Sequence, residues 1–225
     1  TVLPFVDGIA LENRLKSGPL DIADSLLVAT SIMKGLAALH AQGVLHRNIH
    51  PCNVILPQNA SDGTPIRHAT LVGFGSIKRF HQEQLLANND LAVVTYMSPE
   101  EAGSIDADVG PPSDMYSAGI LLFQCLVGSA PFTGPDARSI LFDHLTGKVP
   151  DLRDFNAKIP RELNELVQRL LRKDPLDRYQ LADAVASDLS AISQALAGDC
   201  AGAQIVIGAS DRRSTLTEPA FVARN

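Results

Sequence analysis

Tryptophan is absent, tyrosine and methionine occur three times each, and aromatic residues make up 5% of the 225 residues. With 45% hydrophobic and 20% charged residues the chain reads as Leu- and Ala-rich, globular and mainly helical rather than disordered. Cys52, Cys125 and Cys200 are odd in number and far apart, which excludes a disulfide framework or a CxxC metal site and fits a reducing cytoplasm. Positive charge is in deficit. The 19 basic and 25 acidic residues give a formal charge of −6, leaving no field to attract a phosphate backbone, so nucleic acid is not an expected partner. No apolar run approaches the roughly 18 residues needed to span a bilayer. The opening TVLPFVDG has neither a charged n-region nor a cleavage site, so no membrane segment and a cytoplasmic location are expected. Repeats and low-complexity tracts are absent as well.

What is present is a chain long enough to bury roughly 70% of its unfolded surface. It opens without Met or a cap, so it reads as a piece excised from something longer. Val2 to Val6 is a short apolar run ended by Asp7-Gly8, which predicts a strand leaving through a turn. Leu26, Ala29, Met33 and Leu36 recur with a helical period and Gly43 suits a left-handed cap, predicting a helix over about 22–41. Val54 to Leu56 and Ala69 to Val72 are β-like, and 73–100 reads as a long loop. "DMYSAGILLFQCLVG" is apolar nearly all round and predicts a buried central helix closed by Gly128. "PRELNELVQRLLRKD" predicts an amphipathic helix with Pro160 at its first position, and Ala182 to Leu196 a last helix. After Gly198 the Gly, Ala, Ser and Thr content predicts a linker, giving a domain over 1–197 and a linker over 198–225.

Five segments in order carry a resemblance. "HRNIHPCN" is similar to the catalytic loop HRDxKPxN of eukaryotic-type protein kinases, "LVGFG" to their DFG loop, and "TYMSPE" to the APE end of their activation segment. "SDMYSAGILLFQCLVGSAPF" resembles their buried central helix and "KDPLDRY" their late KDPxxRx. The resemblance implies a protein-kinase-like fold, the C-terminal lobe: mainly α, with a short β hairpin and hinge strand. It places the Gly-rich loop and strand lysine before Thr1.

Positions that hold such a lobe together match the family. Glu100 and Arg178 correspond to the pair tying the activation segment to a distant helix, and Asp114 to the buried acid beneath the catalytic loop. His46, Arg47 and Asn53 also stand where the family has them. Positions that handle phosphate do not match. Asn48 replaces the aspartate that takes the substrate hydroxyl's proton, and an amide has no basic lone pair, so general-base help of about 10²–10⁴ is lost. His50 replaces a lysine, Gly73 the DFG aspartate that holds Mg²⁺, and Val93 the threonine linked to the first two. Asn53 is then the single remaining metal ligand, a weak one, and Mg²⁺ is not expected to be held. Between Ser76 and Thr95 there is no Ser, Thr or Tyr, so no phosphorylation site faces Arg47.

Two readings of function follow. The first is a catalytically inactive pseudokinase, a regulatory or docking module with at most weak ATP binding through the hinge backbone of Pro4 and Val6 and the apolar floor at Ile55. A collapsed adenine pocket is weighed equally. The second is an active Ser/Thr kinase with His50 as substitute base. Expected partners are proteins or neighbouring domains of the same chain, including an ATPase module whose start "LTEPAFVARN" resembles. His46 and His50 are four residues apart, but without a third ligand nearby they read as structural. Cys52 beside His50 has nothing visible to depress its pKa, and "IKRFH" over 77–81 reads as solvated surface.

Overall fold

Gly8 determines where strand pairing begins. In the computed structural model, which describes residues 6–62, 64–74, 89–198 and 205–211, a Cβ on Gly8 would overlap the carbonyl oxygen of Leu56. The chain crosses closely here at φ +156°, a value that favours glycine. Among the described residues pairing starts after Gly8, in β1 (Ile9–Ala10). Val6 is outside any strand, and residues 2–5 lie outside the described residues. α1 (Leu11–Leu15) follows at once, then α2 (Ile22–His40), whose N-cap Asp21 accepts a hydrogen bond from Asp24 N–H at 2.7 Å. β2 (Val54–Leu56) pairs antiparallel with β1 on one side and with β3 (Thr70–Leu71) on the other. The register sets Ile55 between Ala10 and Thr70.

The long loop contains a helical turn, α3 (Leu91–Val94), capped by Asp90 through the N–H of Val93 at 3.3 Å. A short Asx cap with a following apolar run is enough for one turn, but too short to show as a period. α4 (Pro111–Val127) is the buried central helix, closed by Gly128 at φ +95°. α5 (Ala137–Thr146), α6 (Leu152–Phe155), α7 (Arg161–Leu170) and α8 (Ala182–Ala197) complete the order. Pro160 is the N-cap of α7 and not its first residue: its ψ of 145° is extended while its carbonyl already accepts from Asn164 N–H.

α2 packs most extensively against α8 and α4, and the side chains of Leu26, Val28, Ile32, Met33 and Leu36 form the centre of the main core. By length and composition α2 also meets the requirement for crossing a bilayer, with a mean hydropathy of 1.5, which corrects the expectation that no segment approaches it. Its interspersed Ser and Thr interrupt the apolar runs without lowering the average much. Here it serves as a core helix, and Asp24 in its first turn accepts from Ile66 N–H at 2.8 Å. A second, smaller core lies under α3: Val94, Met97 and Ala102 pack on Ala137, Ile140 and Leu141 of α5.

Candidate active site

The catalytic-loop segment is held from below by one carboxylate. Asp114, on α4 and 1% exposed, accepts from the backbone N–H groups of His46 (2.9 Å) and Arg47 (2.7 Å) and from Nε2 of His40 (2.9 Å). Arg47 has φ +58°, a left-handed conformation that a non-glycine residue keeps when its surroundings over-determine it, as Asp114 does here. His46 is buried; its Nε2–H donates to the carbonyl of Val72 (3.1 Å), and its Nδ1 accepts from Asn48 N–H (3.3 Å). Both ring nitrogens are thus used by a neutral imidazole, and burial lowers the pKa accordingly.

A second frame element fixes the end of the activation segment. Arg178 grips Glu100 with two bonds of 2.6 and 2.9 Å, and both side chains are fully buried. Ser113 Oγ–H donates to Glu100 at 2.7 Å, and Arg178 also donates to the carbonyls of Arg172 (2.7 Å) and Lys173 (2.9 Å). Every charge here is partnered, which is what a buried ion pair requires. Tyr116 lies under the Arg178 guanidinium and hydrogen-bonds Nδ1 of His144 (2.8 Å), whose Nε2–H donates to the carbonyl of Thr95 (3.1 Å).

Above this frame the positions that the family fills with phosphate-handling charges, 48, 50 and 73, carry neutral groups. Asn48, His50, Val93 and Arg47 line a cleft of about 600 Å³ together with Tyr96 and Glu101. Asn53 Nδ2 lies 2.9 Å from the carbonyl of Asn48 and 3.0 Å from Nε2 of His50. A carbonyl can only accept, so the amide nitrogen must face it, and the second amide proton goes to His50 Nε2. His50 therefore carries its proton on Nδ1, with the Nε2 lone pair engaged, and burial lowers its pKa. Gly73 has φ +78°, and a Cβ there would lie 3.0 Å from Oδ1 of Asn53. The Asn53 side chain occupies the space into which a side chain at 73 would grow. Among the described residues no group of three His, Cys, Asp or Glu is arranged to hold a metal ion.

Ile55 and Val6, the expected adenine contacts, are half-buried near the sheet, whereas Pro4 lies outside the described residues, as do Cys200 and 77–81. Several residues near the site were not singled out from sequence. Glu12, on α1, stands beside Cys52; desolvation first, then the nearby Glu12 carboxylate, pushes the thiol pKa up, which disfavours the reactive thiolate. Burial, and then the nearby Asp114 carboxylate, raises Glu101 to about 7, although Ser98 donates to it through Oγ at 3.1 Å. Contacts between residues some forty positions apart, such as Glu12 with Cys52, leave no signal in local spacing.

Lobe architecture, catalytic-loop geometry and the Glu100–Arg178 clamp define a protein kinase domain. The chain belongs to that family: residues 1–190 match the protein kinase domain. It is similar to the serine/threonine-protein kinase PknL of Mycobacterium tuberculosis, 32% identical over 198 residues covering 87% of this chain and 47% of the relative. It is also similar to the serine/threonine-protein kinase pkn2 of Myxococcus xanthus, at 33% over 202 residues, covering 85% of this chain and 24% of the relative. With the serine/threonine-protein kinase PrkC of Bacillus subtilis it shares 28% over 191 residues, 84% of this chain and 28% of the relative. The chain thus spans less than half the length of these curated relatives.

Proposed function

We propose that this chain is a pseudokinase: a kinase-like signalling module that does not transfer phosphate and acts by docking or regulating protein partners or neighbouring domains, an ATPase module among them. The observation that carries this is the closed network of Asn48, Asn53 and His50. Where the family places a proton-accepting carboxylate and a metal-holding carboxylate, these positions offer amides, a neutral imidazole and the hydrogen of Gly73. The donor set does not fit Mg²⁺, which needs one or two carboxylates besides phosphate oxygens. Asn53 offers one neutral oxygen, and its amide protons are committed to Asn48 and His50. Nucleotide, if bound, would be held weakly and without metal, with Val6 and Ile55 at the base. A cytoplasmic setting belongs to the same reading.

The runner-up is an active Ser/Thr kinase, favoured by the names of the relatives and by His50, whose unprotonated Nε2 would serve as a base once Asn53 released it. Single-turnover transfer of γ-phosphate by the full chain, with Mg²⁺ or Mn²⁺, separates the two. The expected result is no product above a protein-free control and ATP binding unchanged by Mg²⁺. Stoichiometric product that vanishes in Asn48→Ala would end the pseudokinase reading.

A further inference from the structure

The stretch expected to be linker contains a docked segment. α8 ends at Gly198, and residues 205–211 return along it towards its start. Gly208 N–H donates to Asp188 Oδ2 (2.7 Å), while Asp211 Oδ1 accepts from the N–H groups of Gln180 (3.0 Å) and Leu181 (3.2 Å). The strap therefore runs antiparallel to α8 and finishes at its N-terminus. Leu181, the N-cap of α8, has no side-chain cap to offer. Asp211, thirty residues away, instead accepts from the N–H of that N-cap residue and of the residue before it, placing a negative charge where it suits the helix dipole.

The contact is built and selective. The Asp211 side chain is 1% exposed and its Oδ2 accepts from Arg169 at 2.6 Å, while the Arg169 guanidinium sits 4.3 Å over the Tyr179 ring. Tyr179 O–H donates to Asp188 at 2.6 Å, so Tyr179 and Gly208 share one acceptor. A Cβ on Gly208, at φ +78°, would overlap the Arg169 guanidinium, and Ile205 and Ile207 pack against the main core. The Asp211 bonds reach Gln180 and Leu181 directly, and Arg169 and Asp188, both held by the strap, contact Tyr179, so the strap braces the stretch 179–181 next to Arg178, which grips Glu100.

We propose that 205–211 is a coupling strap: its docking holds 179–181 and, through the adjoining Arg178, sets how firmly the Glu100 end of the activation segment is held, so the chain continuing past Asp211 acts on that segment. This stands whether or not the domain transfers phosphate. Amide hydrogen exchange followed by mass spectrometry on the full chain tests it, comparing wild type with Asp211→Asn and Ile207→Ser. Exchange several-fold faster over both 178–184 and 97–102, with α2 unchanged, is the expected result. Faster exchange over 178–184 alone would overturn the coupling and leave a local contact at the start of α8; no change over 178–184 would overturn the docking itself. If a variant also speeds exchange in α2 it has lost the fold, and Asp211→Glu, which keeps the charge but displaces it, then decides by the same two peptides.

Discussion

Glu100 and Arg178 meet at 2.6 Å with no side-chain exposure, whereas Asn48, Asn53 and His50 meet across a cleft wall through neutral hydrogen bonds. One scaffold thus contains two treatments of charge. In the frame, each buried charge has a partner of opposite sign or a backbone donor: Asp114 under the catalytic loop, Glu100 under the activation segment. In the cleft, Asn48, Asn53 and His50 are tied to one another by neutral hydrogen bonds, and Gly73 and Val93 bring no polar side chain. Within this lobe the frame is held by paired buried charges and the wall of the cleft by neutral hydrogen bonds.

The largest effect should come from breaking the frame. Arg178→Met leaves the Glu100 carboxylate buried with Ser113 as its remaining partner, and should cost about 3–5 kcal/mol in chemical denaturation. His50→Ala removes one neutral bond from Asn53 and should cost about 1 kcal/mol. Equal losses at the two sites would break the comparison.

Acid and alkali should act on the two regions with opposite sign. His144, in the frame, is lowered from 6.5 to about 3, first by burial and then by the nearby Lys173. Its folded state resists the proton, so the stability it contributes is present above 6.5 and is lost as pH falls toward 3. Glu101, in the cleft, is raised from 4.5 to about 7, so its contribution is present below 4.5 and lost as pH rises through 7. Relative to His144→Gln, wild type should weaken on acidification. Relative to Glu101→Gln, it should weaken on the way from pH 4.5 to 7. Urea midpoints across pH 3.5–8 measure both, and slopes of the same sign would contradict the assignment.

Much of the frame was legible because the family's spacing marks it: Asp114, Glu100 and Arg178 could be named from motifs, and the central helix from its apolar run and Gly128. The long-range partners were not. That Ser113 joins Glu100, that His144 bridges Tyr116 to Thr95, and that Asp211 meets the start of α8 all depend on tertiary placement, which neither period nor composition encodes. The cleft was legible as a set of substitutions, since Asn48, His50, Gly73 and Val93 could be read one by one. How Asn53 closes over Gly73 was not, because it depends on a rotamer. The tail misled for a physical reason: small residues and glycine read as linker, yet here Gly208 permits close approach to Arg169.

A substitution at Gly73 tests the closure of the cleft directly. Gly73→Asp would put a side chain at φ +78°, with its Cβ 3.0 Å from Asn53 Oδ1. The backbone strain alone costs on the order of 1–3 kcal/mol, and relieving the contact would require Asn53 to turn away from Asn48 and His50. The loss should therefore be about 2–4 kcal/mol, the backbone strain and the displaced Asn53 hydrogen bonds together. Its dependence on Asn53 is the sharper readout: in an Asn53→Ala background, where the obstructing amide is gone, Gly73→Asp should cost less than it does in wild type. Thermal shift with ATP and Mg²⁺ completes the test. Gly73→Asp alone should gain no Mg²⁺-dependent stabilisation, because Asn48 and His50 add no second carboxylate to help it grip the metal. If it does gain one, the cleft lies a single carboxylate away from gripping the metal, and the neutrality of Asn48 and His50 matters less than the side chain missing at 73.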